Sequence, residues 1–150
     1  MSNVSFETGH VGLNVNDLER SKEFYRDVFG FEVRGESKDA DRKYAMLAQD
    51  GRLVLTLWQQ SASQFSRETA GLHHLSFQAK SVREVREIEV KLRERGTKFI
   101  YDGIVLHSEG ASSGGIFFED PDGIRLEIFT IEGLEAYSAP EKGASACGFF

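Results

Sequence analysis

The chain has 150 residues, 40% of them hydrophobic and 28% charged, an ordinary globular composition that can bury a core without staples. Eighteen Lys and Arg against twenty-four Asp and Glu leave a net charge of -6, which argues against a nucleic-acid partner. A single cysteine, Cys147, rules out an intrachain disulfide framework. The opening "MSNVSFETGH" has no basic-then-apolar leader pattern, and no apolar run approaches the roughly 20 residues of a membrane span. The expectation is therefore a cytoplasmic protein without a membrane partner.

The chain repeats itself. From His10, Val11, Leu13 and Val15 alternate as a short strand, and Asp17 then N-caps a helix with Leu18, Ser21, Phe24, Tyr25 and Val28 on one stripe. Gly30 stops it. Three strands follow, Glu32–Ser37, Tyr44–Gln49 and Leu53–Gln59, with a turn at Gln49 to Gly51. Residues 60–71 are polar and patternless and read as a linker. From His74 the order begins again: Leu75, Phe77 and Ala79 alternate, and Ser81-x-x-Glu84 forms a capping box for a helix carrying Val82, Val85, Ile88 and Leu92. Arg83, Arg86 and Lys91 interleave with Glu84, Glu87 and Glu89 there, the pattern of a solvated, ion-paired face. Gly96 ends the helix. Strands are expected at Lys98–Ile104, Gly115–Glu119 and Ile124–Ile131, with Asp120 to Gly123 ("DPDG") as a type I turn. Glu132 to Phe150 has lost the repeat; its Gly and Ala content reads as a loose tail, with Phe149 and Phe150 as docking residues. The fold class is α+β: two βαβββ modules in tandem, 1–59 and 72–131, joined by 60–71 and followed by 132–150, forming a curved mixed sheet around a cleft.

In register, His10 and His74 share one position, and Gly12 and Asn14, with Ser76 and Gln78, face away from the helices. Thr56 aligns with Glu127, which sits inside a strand between Leu126 and Ile128. A carboxylate there needs water, a cationic partner or a metal. Two histidines and one carboxylate on rigid strands are the ligands of a 2-His-1-carboxylate site, so His10, His74 and Glu127 are candidate metal ligands. The rival readings are salt bridges from Glu127 to Arg125 or Arg34. His73, next to His74, is expected to point the other way and to be structural. Trp58, Phe117, Phe129 and Arg125 are candidates for the substrate-facing wall, with plain core as the alternative for the aromatic residues.

"HVGLNVNDLERSKEFYRDVFGFEV" and "GIFFEDPDGIRLEIF" resemble the opening and closing signatures of the vicinal oxygen chelate superfamily, the glyoxalase, bleomycin-resistance and extradiol-dioxygenase group. The resemblance covers about residues 9–131. It implies paired βαβββ modules around a metal cleft, commonly in a homodimer, with ligand roles at His10, His74 and Glu127. The cofactor implied is a divalent ion: Fe2+, Mn2+, Zn2+ or Ni2+. Thr56 stands where glyoxalase I and methylmalonyl-CoA epimerase members place a fourth ligand, and Gly12 where fosfomycin-modifying members usually place Thr. Ser108-Glu109-Gly110 is similar to a fosfomycin-type loop. Phe117 stands where extradiol members tend to have Tyr, and His107 matches their upstream histidine, which makes it the candidate acid or base. The function implied is a metal-dependent enzyme on a small substrate with vicinal oxygens, dioxygenase-type or lyase/transferase-type. The alternative is a resistance protein that sequesters an aromatic drug or metabolite.

Overall fold

Each half of the chain builds one helix and one four-stranded mixed sheet. The computed structural model describes residues 3–140 and residue 146; Cys147, Phe149 and Phe150 lie outside the described residues. Contacts divide the chain into two units, Met1–Ser63 and Gln64–Phe150. Among the described residues no helix is long and apolar enough to cross a membrane.

The first unit runs β1 (Val11–Val15), α1 (Leu18–Phe29), β2 (Glu32–Asp39), β3 (Arg42–Gln49) and β4 (Arg52–Gln59). The sheet order is β1-β4-β3-β2, with β1 parallel to β4 and the other pairs antiparallel. Asp17 caps α1 by accepting from the Arg20 N–H at 3.1 Å, and Gly30 closes it in the left-handed conformation. Leu18, Ser21, Phe24, Tyr25 and Val28 form its buried stripe as the spacing predicts. Each large apolar member contributes roughly 1.5–3 kcal/mol by leaving water. Lys22 joins that stripe unexpectedly, because its ammonium reaches Glu36 at 2.6 Å and Glu19 at 2.9 Å. The β3–β4 turn places Asp50 and Gly51 at φ 50 and φ 76, the left-handed pair of a tight hairpin turn.

The second unit runs β5 (Leu75–Gln78), α2 (Val82–Glu94), β6 (Val105–Leu106), β7 (Gly114–Glu119) and β8 (Arg125–Thr130), in sheet order β5-β8-β7-β6. The topology repeats the first unit, including the parallel pair, here β5 with β8. Ser81 accepts from Glu84 N–H, while the Glu84 carboxylate reaches back to the Lys80 N–H rather than to Ser81 itself. Thr97 N–H to Leu92 C=O and Gly96 N–H to Arg93 C=O complete a Schellman end for α2. The buried Asp120 carboxylate holds the Asp120–Gly123 turn, accepting from the Asp122 and Ile124 N–H groups.

One expected strand differs. Lys98–Ile104 is not continuous: Phe99 bridges Phe118, and only Val105–Leu106 forms a regular strand, against Gly114 and Gly115. Gly103, at φ 82, turns the chain between the two pairings, and that left-handed step is incompatible with an extended run. The described part of the segment after β8 is also held in place. Leu134 and Ala146 are fully buried, Leu134 N–H donates to Ser112 C=O, and Tyr137 accepts from Arg86 at 2.6 Å.

Gly114 and Gly115 let the strands of the second sheet approach closely. A Cβ on Gly115 would collide with the Ile128 carbonyl oxygen and stand 2.6 Å from Phe129 Cα. Because backbone cannot move aside as a side chain can, Gly115→Ala is expected to destabilise by at least about 1–3 kcal/mol. Gly35→Ala, which meets nothing within 4 Å, is expected to change stability by about 1 kcal/mol or less in either direction. Denaturant titration of the two variants checks the contrast.

Candidate functional site

Parallel pairing of β5 with β8 sets Ser76 directly opposite Glu127. The same pairing in the first unit, β1 with β4, sets Gly12 opposite Thr56. Thr56 thus holds in its sheet the place that Glu127 holds in the other, as the repeat predicts. The outcome differs chemically. Thr56 accepts from Trp58 Nε1 at 3.1 Å, a neutral bond between neighbours on one strand face. Glu127, 3% exposed, takes two partners from other elements: Ser76 Oγ donates to Oε1 at 2.5 Å, and His107 Nε2 meets Oε2 at 2.7 Å.

Ser76 and His107 are thus two of the groups that meet the buried carboxylate. The two arginines weighed from the sequence have contacts of their own, Arg125 in the second unit and Arg34 in the first. The Arg125 Nε donates to the His73 carbonyl at 2.9 Å and its guanidinium lies over the Phe65 ring at 5.5 Å. Arg34, in the first unit, donates to the Gly51 carbonyl at 2.7 Å. Arg125 therefore ties the segment before β5 to β8.

His107 follows β6 immediately and is pinned by both its backbone and its ring. Its N–H donates to the Ser113 carbonyl, its C=O accepts from Ala146, and Nδ1 lies 2.9 Å from Ser113 Oγ. Phe129 stands against the ring at 5.4 Å. Phe117 meets the His107 ring edge-on at 6.3 Å and is fully buried in a cluster with Ala146, Ile100, Tyr101 and Val105, its ring also edge-on to Tyr101. Of the aromatic wall candidates, Phe129 and Trp58 are half-buried and Phe117 is enclosed. Trp58 packs on Tyr44 at 5.0 Å.

His74 precedes β5 and is half-buried. His73 does not point away as alternation would require, because neither residue belongs to the strand: His73 Nδ1 and His74 Nδ1 approach to 2.7 Å. Burial lowers the His74 pKa; the Glu127 carboxylate opposes that, while His73 and Arg125 add to it. His10 precedes β1 in the corresponding position and is exposed. Among the described residues neither unit by itself gathers three or more His, Cys, Asp or Glu side chains placed to hold a metal ion. The donor chemistry of the second unit nevertheless suits one. Glu127 is an oriented carboxylate, and burial favours the neutral form of His74, the form that offers a lone pair to a cation. Alternation places Ser76 on the face away from the helix but not opposite Glu127, and it gives no signal for Ser113, whose role depends on the pairing register.

Two βαβββ units with a buried carboxylate on the closing strand of the second define a class of duplicated mixed-sheet proteins. The chain belongs to the Glyoxalase/Bleomycin resistance protein/Dioxygenase superfamily, whose family model matches residues 8–128. It is 31% identical over 124 residues to catechol-2,3-dioxygenase of Bacillus subtilis (strain 168), covering 81% of this chain and 40% of that protein. The chain therefore spans less than half the length of that relative. Among solved structures it is similar to the glyoxylase/bleomycin resistance protein/dioxygenase domain from Frankia sp. EAN1pec, at TM-score 0.72 and 24% identity, covering 91% and 98% of the two chains. The fosfomycin resistance protein FosX from Listeria monocytogenes, complexed with Mn(II) and sulfate ion, matches at TM-score 0.64 and 21% identity, covering 89% and 98%.

The lowered His74 pKa has a direct consequence. The unfolded chain binds the proton more readily, so stability rises with pH across the interval between the folded and unfolded His74 pKa values and is reduced below it. NMR titration of the histidine rings in the metal-free protein is expected to give His74 a midpoint below the ordinary value of about 6.5. A midpoint at or above it contradicts the burial argument.

Proposed function

We propose that this protein is a divalent-metal-dependent enzyme acting on a small substrate with vicinal oxygens, with His10, His74 and Glu127 as its metal ligands. The observation that carries the reading is the buried Glu127 carboxylate, oriented by Ser76 and His107, with His74 held toward its neutral form by burial. His10 enters as the third ligand from its matching place before β1, where His74 precedes β5. Family membership and the Mn(II) complex of a structural relative support a metal. When bound, such an ion acts as a Lewis acid on substrate oxygens or, if it is iron, as the oxygen-activating centre.

The chain's own residues supply the rest. Ser76 and His107 fix the carboxylate rotamer, as outer partners of ligating carboxylates do. His107 is the group to hold or move a proton at Nε2 if its bond to Glu127 is exchanged for substrate. Phe129 and Trp58 provide apolar wall, and Phe117 packs edge-on against His107. The reaction is of dioxygenase type or of lyase/transferase type, and the same reading carries a cytoplasmic homodimer. A sequestering resistance protein is the second reading. It is favoured by the half-buried Trp58 tilted against Tyr44, an aromatic surface that suits a planar ligand without a metal.

Elemental analysis of protein purified without chelator separates the two. One divalent ion per chain is expected, and His10→Ala, His74→Ala or Glu127→Gln should each weaken it by more than the 10–100-fold typical of losing an outer partner. Metal content that ignores His10→Ala, or tight aromatic binding by the metal-free protein alone, would overturn the enzyme reading.

A further inference from the structure

Four side chains from separate parts of the second unit form one hydrogen-bonded chain: Ser76, Glu127, His107 and Ser113, with contacts of 2.5, 2.7 and 2.9 Å in that order. A carboxylate only accepts, so the Ser76 O–H and a His107 Nε2–H both donate to Glu127. A neutral imidazole then has its lone pair on Nδ1, and the group facing that lone pair is Ser113 Oγ. Every hydrogen in the chain points the same way, toward Glu127. The backbone supports the arrangement, because His107 N–H donates to Ser113 C=O and holds the two residues face to face.

We propose that Ser113 is a positioning residue: its hydroxyl donates to His107 Nδ1, fixes the ring in the Nε2–H tautomer, and so commits that N–H to Glu127. Its functional consequence rests on Glu127 being a metal ligand; the tautomer itself does not. Ser113, acting through His107, thereby sets the direction in which Glu127 presents its remaining lone pairs. The effect on metal affinity belongs at the lower end of the 10–100-fold range for outer partners, since Ser113 acts through His107.

The test uses the full chain. Two-dimensional 15N–1H NMR of the metal-free protein, recorded roughly two pH units above the ordinary histidine value of about 6.5, reports the His107 tautomer directly. The wild type is expected to show Nε2–H. Ser113→Ala should shift the Nδ1 resonance or populate both tautomers, and Ser113→Thr, which keeps the hydroxyl, should restore the wild-type signature. Titration with Mn2+ alone should show about tenfold weaker binding in Ser113→Ala and recovery in Ser113→Thr. An Nδ1–H tautomer in the wild type overturns the proposal and needs no variant to fold. An unchanged ring signature in Ser113→Ala overturns it too. A wild type that binds no Mn2+ sinks the metal reading, while the tautomer result still decides this proposal.

Discussion

The second unit is organised around a carboxylate that has been taken out of water. Leaving an ionised group there without partners would cost far more than a typical hydrogen bond contributes, so three elements are constrained at once. β5 has to run parallel to β8 in the one register that brings Ser76 opposite Glu127. The loop after β6 has to deliver His107 to the other oxygen. Residues after β8 have to hold that loop, which they do through Ser138 C=O to Leu106 N–H and Ala146 N–H to His107 C=O. A polar network of this kind is stabilising only when all its members are satisfied. That is the physical reason the described residues after β8 pack as part of the second unit.

Duplication supplies the frame and divergence the chemistry. Both units share strand order, the parallel pair and a helix capped at its start by Asp17 or Ser81. At the same register position one unit carries Gly12 with Thr56 and the other Ser76 with Glu127. The first pair is small and neutral: a Cβ on Gly12 would stand 3.2 Å from Thr56 Oγ1. The second is charged, with Glu127 buried and Ser76 exposed. A sequence relative named as a catechol dioxygenase and a fold neighbour named as a fosfomycin resistance protein fit a frame that tolerates such changes at matched positions, since one fold can host different chemistry.

Much of the architecture was legible without coordinates. The α1 stripe, both N-caps, the glycine stops and seven of the eight strands follow from periodicity and capping chemistry, which act over a few residues. Lys98–Ile104 was misread because its apolar content suits a strand while Gly103 adopts a left-handed turn. His73 was misread because strand alternation was extended two residues beyond the strand's start at Leu75.

The sequence by itself determined the duplicated α+β plan, the matched histidines and the place of Glu127 on a closing strand, because each is a local pattern repeated twice. Only the tertiary structure decided what that carboxylate touches. Ser76 lies 51 residues away and His107 lies 20 residues away, and hydrogen bonds over such separations depend on register and loop path, which leave no periodic trace in the chain. The roles of Ser113 and of the packed residues after β8 were invisible for the same reason: their chemistry comes from position, and position is a property of the fold.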